Sequence, residues 1–464
     1  MLHSIADFFR NKKVVILGFG KEGKSTFSLL QNLLPENLPS IADKNSNALK
    51  CDEIEKLSVQ PEFYFGDNYL DHLDQFDVIV KSPGISLDKA LIEKFRNKIT
   101  SQSRIFLQHY KQNVIGVTGT KGKSTTSALI AHLLNSGGVK TILAGNIGIP
   151  VFDTLAKLTN NEKVVFEMSA HQLEDCLDSP HISVYLNLFQ EHLDHFKNMQ
   201  DYGFAKMNIA NFQTSDDYLI YNSENTELAT LLNKLSSKPI RIPFGMTDSG
   251  QNLYFIQNNE LEEKKLGVNE TLFPLSFSHK LKGDHNVMNM MAATAVARLF
   301  DIPGHLIAGS IATFRTLPHR LEYVGKFENI DFYNDSIATI PEASMQAVKA
   351  LGNVGTLIAG GFDRGIDYSE YVDFLSESHI DNLILMDAVG LRIQSMLNEK
   401  EKNYSKIFFA EDIQKAVEMS FQHTPSGKMC LLSPAAASYG MFKNFEERGD
   451  QYVDCIKNHN KKTP

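Results

Sequence analysis

Short apolar runs that end in Gly, Asp or Asn recur along the whole chain, and helix-like stretches follow many of them. The clearest are Val14–Leu17 and residues 78–80, 114–117, 164–166, 218–221, 356–358, 383–386 and 428–432. Runs this short, without polar alternation, are the pattern of parallel strands covered on both faces, so the chain reads as a series of βα units. The runs fall into three groups, each predicting one sheet: residues 14–80, 114–221 and 356–432. The polar stretch 97–103 and the Pro-containing stretch 315–320 read as joints, which divides the chain into 1–105, 106–315 and 316–464. Residues 239–277, with short apolar fragments between Gly and Asn, predict a β-rich insertion at the end of the middle domain.

Composition agrees with several globular cores: 464 residues, 42% hydrophobic and 22% charged, where a domain takes ~150 residues. The 46 Lys+Arg against 55 Asp+Glu give a net charge of −9, which disfavours nucleic acid and anionic membrane as partners but permits local phosphate sites. No apolar run approaches the ~18–20 residues that cross a bilayer, and the first ten residues lack a secretory pattern. Cys51, Cys176, Cys430 and Cys455 are far apart with no CxxC pairing, the usage of reduced thiols. A cytoplasmic protein is expected.

Two glycine loops compete for phosphate chemistry. The first, after Val14–Leu17, is Gly18-Phe19-Gly20-Lys21-Glu22-Gly23-Lys24-Ser25, which satisfies both GxGxxG and GxxxxGK[ST]. The second is Thr118-Gly119-Thr120-Lys121-Gly122-Lys123-Ser124-Thr125, which lacks the leading Gly but supplies a flexible turn, an ammonium and adjacent hydroxyls for Mg²⁺. Their companions separate them. An apolar run ending in Glu167 follows the second loop, then Glu191-His192-Leu193-Asp194 and Lys206, whereas the first loop has Asp43 where a ribose or base contact is expected. ATP chemistry is therefore assigned to the second loop and a passive nucleotide-diphosphate site to the first.

These residues resemble the Mur ligase family. The motifs are the second loop, Gly145-Asn146-Ile147-Gly148, Glu167-Met168-Ser169 with Gln172-Leu173, Glu191-His192-Leu193-Asp194 and His285-Asn286. Leu317-Pro318-His319-Arg320, Asn334-Asp335-Ser336, Gly360-Gly361, Asp363-Arg364-Gly365 and Leu432-Ser433-Pro434-Ala435 follow in order, so the likeness spans roughly residues 14 to 450. The resemblance implies an α/β chain of three domains: Rossmann-like, then a P-loop ATPase-like mostly parallel sheet, then Rossmann-like. It implies ATP-dependent addition of glutamate to UDP-N-acetylmuramoyl-L-alanine through an acyl phosphate, with D-glutamate the first expectation.

By the same resemblance Gly119, Thr120, Lys121, Gly122, Lys123, Ser124 and Thr125 would cradle ATP, helped by Asn286, Arg320 and Asp335. Ser124 and Glu167 would hold one Mg²⁺, and His192 with a carbamylated Lys206 a second. Lys123, Glu167, His192 and Lys206 form the implied catalytic set. The UDP end would lie on Gly18, Gly20 and Gly23, with Asp43, Ser82 and Gly84 on one edge and Asn146 at the muramoyl arm. Thr339, Arg364, Ser433 and Phe442 would take glutamate, since an Arg clamps a carboxylate through two parallel N–H bonds. A monomer is the default.

The chain departs from the family at Ile337, where Lys is usual, at Glu191 for Asp, and at Ala170-His171 for Ser-Phe. Loss of the ammonium makes L-glutamate the alternative acceptor. A folate polyglutamate ligase lacks a domain matching residues 1–105, and a nucleotide-gated binding protein leaves Lys206, His192 and Arg364 without purpose.

Overall fold

The computed structural model describes residues 2–45, 54, 60–146, 149–159, 161–191, 195–277, 281, 283–315, 318–400 and 406–462. The chain forms two compact units, Met1–Phe314 and Arg315–Pro464.

The first unit holds two sheets. Strands β1 (Val14–Leu17), β2 (Ser40–Asp43), β3 (Phe63–Phe65), β4 (Val78–Lys81) and β5 (Ile99–Thr100) pair in parallel in the order β3-β2-β1-β4-β5. The second sheet comprises β6 (Val114–Thr118), β7 (Thr141–Gly145), β8 (Lys163–Glu167), β9 (Ile182–Tyr185), β10 (Tyr218–Asn222), β11 (Ile240–Phe244), β12 (Tyr254–Gln257), β13 (Glu260–Lys265) and β14 (Val268–Pro274). Its order is β14-β13-β12-β11-β10-β9-β6-β8-β7, parallel from β7 to β12 and antiparallel through β13 and β14. Strands β11 to β14 are the β-rich segment expected between residues 239 and 277.

The second unit carries β15 (Glu322–Phe327), β16 (Ile330–Asn334), β17 (Val354–Gly360), β18 (Asn382–Met386), β19 (Ile407–Ala410) and β20 (Met429–Leu432) in the order β15-β16-β20-β17-β18-β19. Only β15 runs antiparallel to its neighbour. The continuous apolar runs have their expected cause: every residue of β1, β6, β17 and β18 is buried. Each aliphatic side chain so enclosed contributes about 1.5–3 kcal/mol.

The polar stretch 97–103 between the first and second sheets is ordered: Ile99–Thr100 is the edge strand of the first sheet, and the helix Gln102–Tyr110 starts shortly after it. Of its polar residues, Thr100, Ser101, Gln102 and Ser103 are buried. Ser101 Oγ caps that helix, and Gln102 Nε2 lies 3.2 Å from both Ser25 Oγ and Thr26 Oγ1. Polarity that satisfies a cap looks, in one dimension, like polarity that faces water. Cys176, Cys430 and Cys455 are free thiols, and Cys51 lies outside the described residues. Among the described residues no helix is long and apolar enough to cross a membrane.

Candidate functional site

Both glycine loops sit where a parallel strand hands over to a helix, at the carboxyl edge where α/β sheets bind ligands. In the first, Gly18 adopts φ +89°, and a Cβ there would lie 2.7 Å from Ile85 Cγ1. A Cβ on Gly23 would meet the Gly18 carbonyl oxygen at 2.2 Å, so the helix Lys21–Leu33 can approach β1 only with glycine there. Gly20 has open space around it.

Gly18, Gly20, Asp43, Ser82 and Gly84 line one groove of ≈ 300 Å³, together with Lys21, Glu22, Pro83 and Ile85. Gly23, packed against the Gly18 carbonyl, is not among the lining residues. Asp43 braces the loop: its two carboxylate oxygens accept the Phe19 and Asn45 N–H groups at 2.7 and 2.8 Å. Ser82 Oγ donates to the Gly18 carbonyl at 2.7 Å. Ser25, the hydroxyl of the Walker-type pattern in this loop, is buried and donates to Asp153 at 2.6 Å.

The second loop begins at the end of β6, whose Val117 is in register with Glu167 of β8. Gly122 caps the helix Lys123–Ser136 at φ +83°, and a Cβ there would fall 2.5 Å from Asn289 Oδ1. Lys123 Nζ donates to the Gly119 and Thr120 carbonyls, both at 2.9 Å, and Lys206 Nζ donates to the same Gly119 carbonyl at 2.8 Å. Two amines thus converge on one turn. Lys206 is only 1% exposed, and burial, reinforced by Lys123, holds its amine well below the usual lysine range against the pull of Glu191 and Glu167. Tyr202 places its ring 4.8 Å beneath Lys206 Nζ.

Glu167, 1% exposed, accepts from Asn146 Nδ2 at 2.9 Å through Oε1, while Oε2 is buried with no hydrogen-bond partner among the described residues. An unshared carboxylate oxygen beside two phosphate-type amines suits a hard divalent cation. Among the described residues no group of three or more His, Cys, Asp or Glu forms a metal cluster by itself. Ser124 is buried at the first turn of its helix, and His192 lies outside the described residues. The Asn146 amide is engaged by Glu167 and by its own backbone bond to the Glu167 carbonyl. Asn286 accepts from Asn289 Nδ2 at 3.1 Å, and Asn289 in turn accepts from Thr126 in the helix of the second loop.

Sequence reasoning missed Asn187. Its Oδ1 accepts the Thr120 and Lys121 N–H groups at 3.0 and 2.8 Å, and its Nδ2 donates to the Lys121 carbonyl at 3.0 Å, so one side chain sets the loop's shape. Lys121 itself pairs with Glu191 at 2.7 Å. A lone Asn two residues past a strand carries no spacing signal.

Within the second unit, Ser433 Oγ donates to Asp335 Oδ2 at 2.8 Å, and Leu321 N–H donates to Oδ1 at 3.1 Å. Burial raises the Asp335 carboxyl to about 6, against these two bonds and the charge of the exposed Arg320. Arg364 donates to the Thr339 carbonyl at 2.8 Å. Phe442 lines a small cavity with Gly360, Gly361, Met386, Asp387, Ser438, Met441 and Arg448. Arg448, also missed, is a buried cation bonded to Ser336 and to the Ala436 carbonyl, which ties the turn after β16 to that after β20. Ile337, in the turn after β16, is half-buried.

Comparison with known proteins bears on this arrangement. Residues 117–297 match the Mur ligase middle domain, and residues 12–101 match the Mur ligase MurD-like N-terminal domain. A UDP-N-acetylmuramoylalanine--D-glutamate ligase of Thermoanaerobacter sp. is 31% identical over 453 residues, 96% of this chain and 98% of the relative. Its namesake in Streptococcus agalactiae is 33% identical over 462 residues, 97% of this chain and 98% of the relative. The fold is similar to the UDP-N-acetylmuramate-alanine ligase of Thermotoga maritima, with a TM-score of 0.56 and 19% identity over 97% of this chain and 100% of that one. With near-complete coverage of relatives above 30% identity and two matching domains, the chain belongs to the Mur ligase family.

Proposed function

We propose that the protein is an ATP-dependent ligase that joins glutamate to UDP-N-acetylmuramoyl-L-alanine, in the cytoplasm and as a monomer, during peptidoglycan precursor synthesis. The observation that carries this reading is the second loop, where Lys123, Lys206 and the unshared oxygen of Glu167 converge beside a separate groove built on the first loop. One site for phosphoryl chemistry and another for a nucleotide handle are what a ligase acting on a UDP-linked acid requires.

In this reading the substrate carboxylate attacks the γ-phosphorus of ATP and ADP leaves. The amine of glutamate then attacks the acyl carbon, and phosphate departs as the nitrogen loses its proton. Lys123 and the loop N–H groups bind and neutralise phosphate oxygens, the main need of such a reaction. Ser124, Glu167, His192 and Lys206 would hold Mg²⁺, which supplies charge neutralisation at the phosphates. An ammonium at Lys206 would repel a cation. The neutral amine that burial favours is the form that adds CO₂ to become a carbamate, an oxygen ligand. Gly18, Gly20, Gly23, Asp43, Ser82 and Gly84 serve the UDP end, and Asn146 orients the muramoyl arm. Asn286, Arg320 and Asp335 serve ATP, while Thr339, Arg364, Ser433 and Phe442 serve glutamate.

The acceptor in this proposal is D-glutamate; L-glutamate is the second reading, favoured by the apolar Ile337 in the turn that follows Asp335. A coupled phosphate-release assay with UDP-N-acetylmuramoyl-L-alanine, ATP and each glutamate enantiomer tests both. Release dependent on all three components is expected. No release with either enantiomer refutes the substrate assignment, and preference for the L form selects the second reading.

A further inference from the structure

The short helix Ala170–Glu174 begins three residues after Glu167. Ser169 caps it in a reciprocal box. Ser169 Oγ accepts the Gln172 N–H at 3.2 Å, and Gln172 Oε1 accepts the Ser169 N–H at 2.8 Å. The cap fixes the Gln172 side chain and leaves its amide nitrogen to act elsewhere. That nitrogen donates to Glu22 Oε1 at 2.6 Å. Glu22 lies between Gly20 and Gly23 at the start of the helix that closes the first loop, and it lines the groove.

One side-chain bond therefore runs from the groove to the Ser169 turn that follows Glu167. Two further ties run in parallel: Lys81 Nζ meets Asp175 at 2.8 Å, and His195 bridges Ser86 at 3.2 Å and Glu174 at 2.9 Å. Glu22 Oε2 is buried with no hydrogen-bond partner among the described residues, and burial raises the Glu22 carboxyl against the Gln172 bond and the Lys81 charge. A half-satisfied buried carboxyl contributes little to stability by itself. Its placement makes sense as a link.

We propose that Gln172, through its bond to Glu22, is a positioning residue that couples occupation of the first-loop groove to the placement of Glu167 in the ATP site. This rests on the proposed assignment of the groove to a uridine diphosphate and of the second loop to ATP. Ligand phosphates at the Gly18–Gly23 loop press on the start of the helix bearing Glu22, and Glu22 passes any shift to the Ser169 turn. Coupling of this kind is a free energy shared by two sites, so each ligand must alter the affinity of the other.

The test measures the Kd of ADP with Mg²⁺ on the full chain, alone and with saturating UDP. UDP should tighten ADP by about 5-fold or more, the lower end of ordinary coupling. Competition between the two would do the opposite. Gln172→Glu sets two acids against each other and should bring the ratio to one while each ligand alone binds within about threefold of wild type. Gln172→Met removes the bond without adding charge and should do the same. The double variant Glu22→Gln, Gln172→Glu reverses donor and acceptor and keeps an oxygen for the Ser169 N–H, so it should restore the ratio. A wild-type ratio of one, persistence of coupling in both single variants, or failure of the double variant to restore it overturns the inference. If UDP does not bind the wild-type chain, the groove assignment falls and the inference with it.

Discussion

Asp335 offers a quantitative test, because its carboxyl is almost wholly enclosed, at 5% exposure, and raised to about 6 from the ordinary 3.8. A raised carboxyl pKa means that the folded state binds the proton more tightly than the unfolded state does. This group therefore contributes most to stability below pH 4. That contribution is lost as pH rises from about 4 to 6, after which the disadvantage is constant. About two pKa units at 1.36 kcal/mol each amount to roughly 3 kcal/mol. Asp335→Asn keeps the shape: its oxygen can still accept the Leu321 N–H, and its amide can donate to Ser433 Oγ. Relative to wild type, the variant should thus gain up to roughly 3 kcal/mol of stability between pH 4 and pH 7. The assay is hydrogen–deuterium exchange at increasing urea, read on peptides from β16 and β20, which reports the second unit separately. Comparing the two proteins at each pH cancels every other titrating group. A difference that stays flat from pH 4 to pH 7 refutes the view that burial governs this carboxyl.

Gly23→Ala places a methyl 2.2 Å from the Gly18 carbonyl, so about 1–3 kcal/mol of stability and most UDP binding should be lost by calorimetry, whereas Gly20→Ala, in open space, should change stability by no more than about 1 kcal/mol. Glu167→Gln keeps the Asn146 contact but removes the charge facing the second loop, and phosphate release should fall about 100-fold or more with UDP affinity intact. Depleting CO₂ should slow phosphate release by the wild-type chain and bicarbonate should restore it; a wild-type rate indifferent to CO₂ would sink the carbamate at Lys206.

Local chemistry made much of this protein legible in one dimension. Strand β1 was readable to the residue because a four-residue apolar run covered on both faces has no other comfortable conformation, and Gly18, Gly23 and Gly122 announced their loops because backbone geometry there excludes a Cβ. Motif likeness placed Lys123 and Lys206 in one catalytic set, but only the fold shows both amines on the Gly119 carbonyl.

What the sequence determined by itself was the order of βα units, the two phosphate-type loops and the family they resemble, since those depend on residues close together in the chain. Only the tertiary structure decided that residues 97–103 are an edge strand and a helix cap, that Asn187 shapes the second loop from 66 residues away, and that Gln172 meets Glu22 across 150 residues. It also decided that Asp335 is enclosed enough to hold its proton near pH 6. The physical reason is common to all of these. Burial and long-range hydrogen bonds depend on which strand ends share an edge, and no local pattern of polar and apolar residues encodes that adjacency.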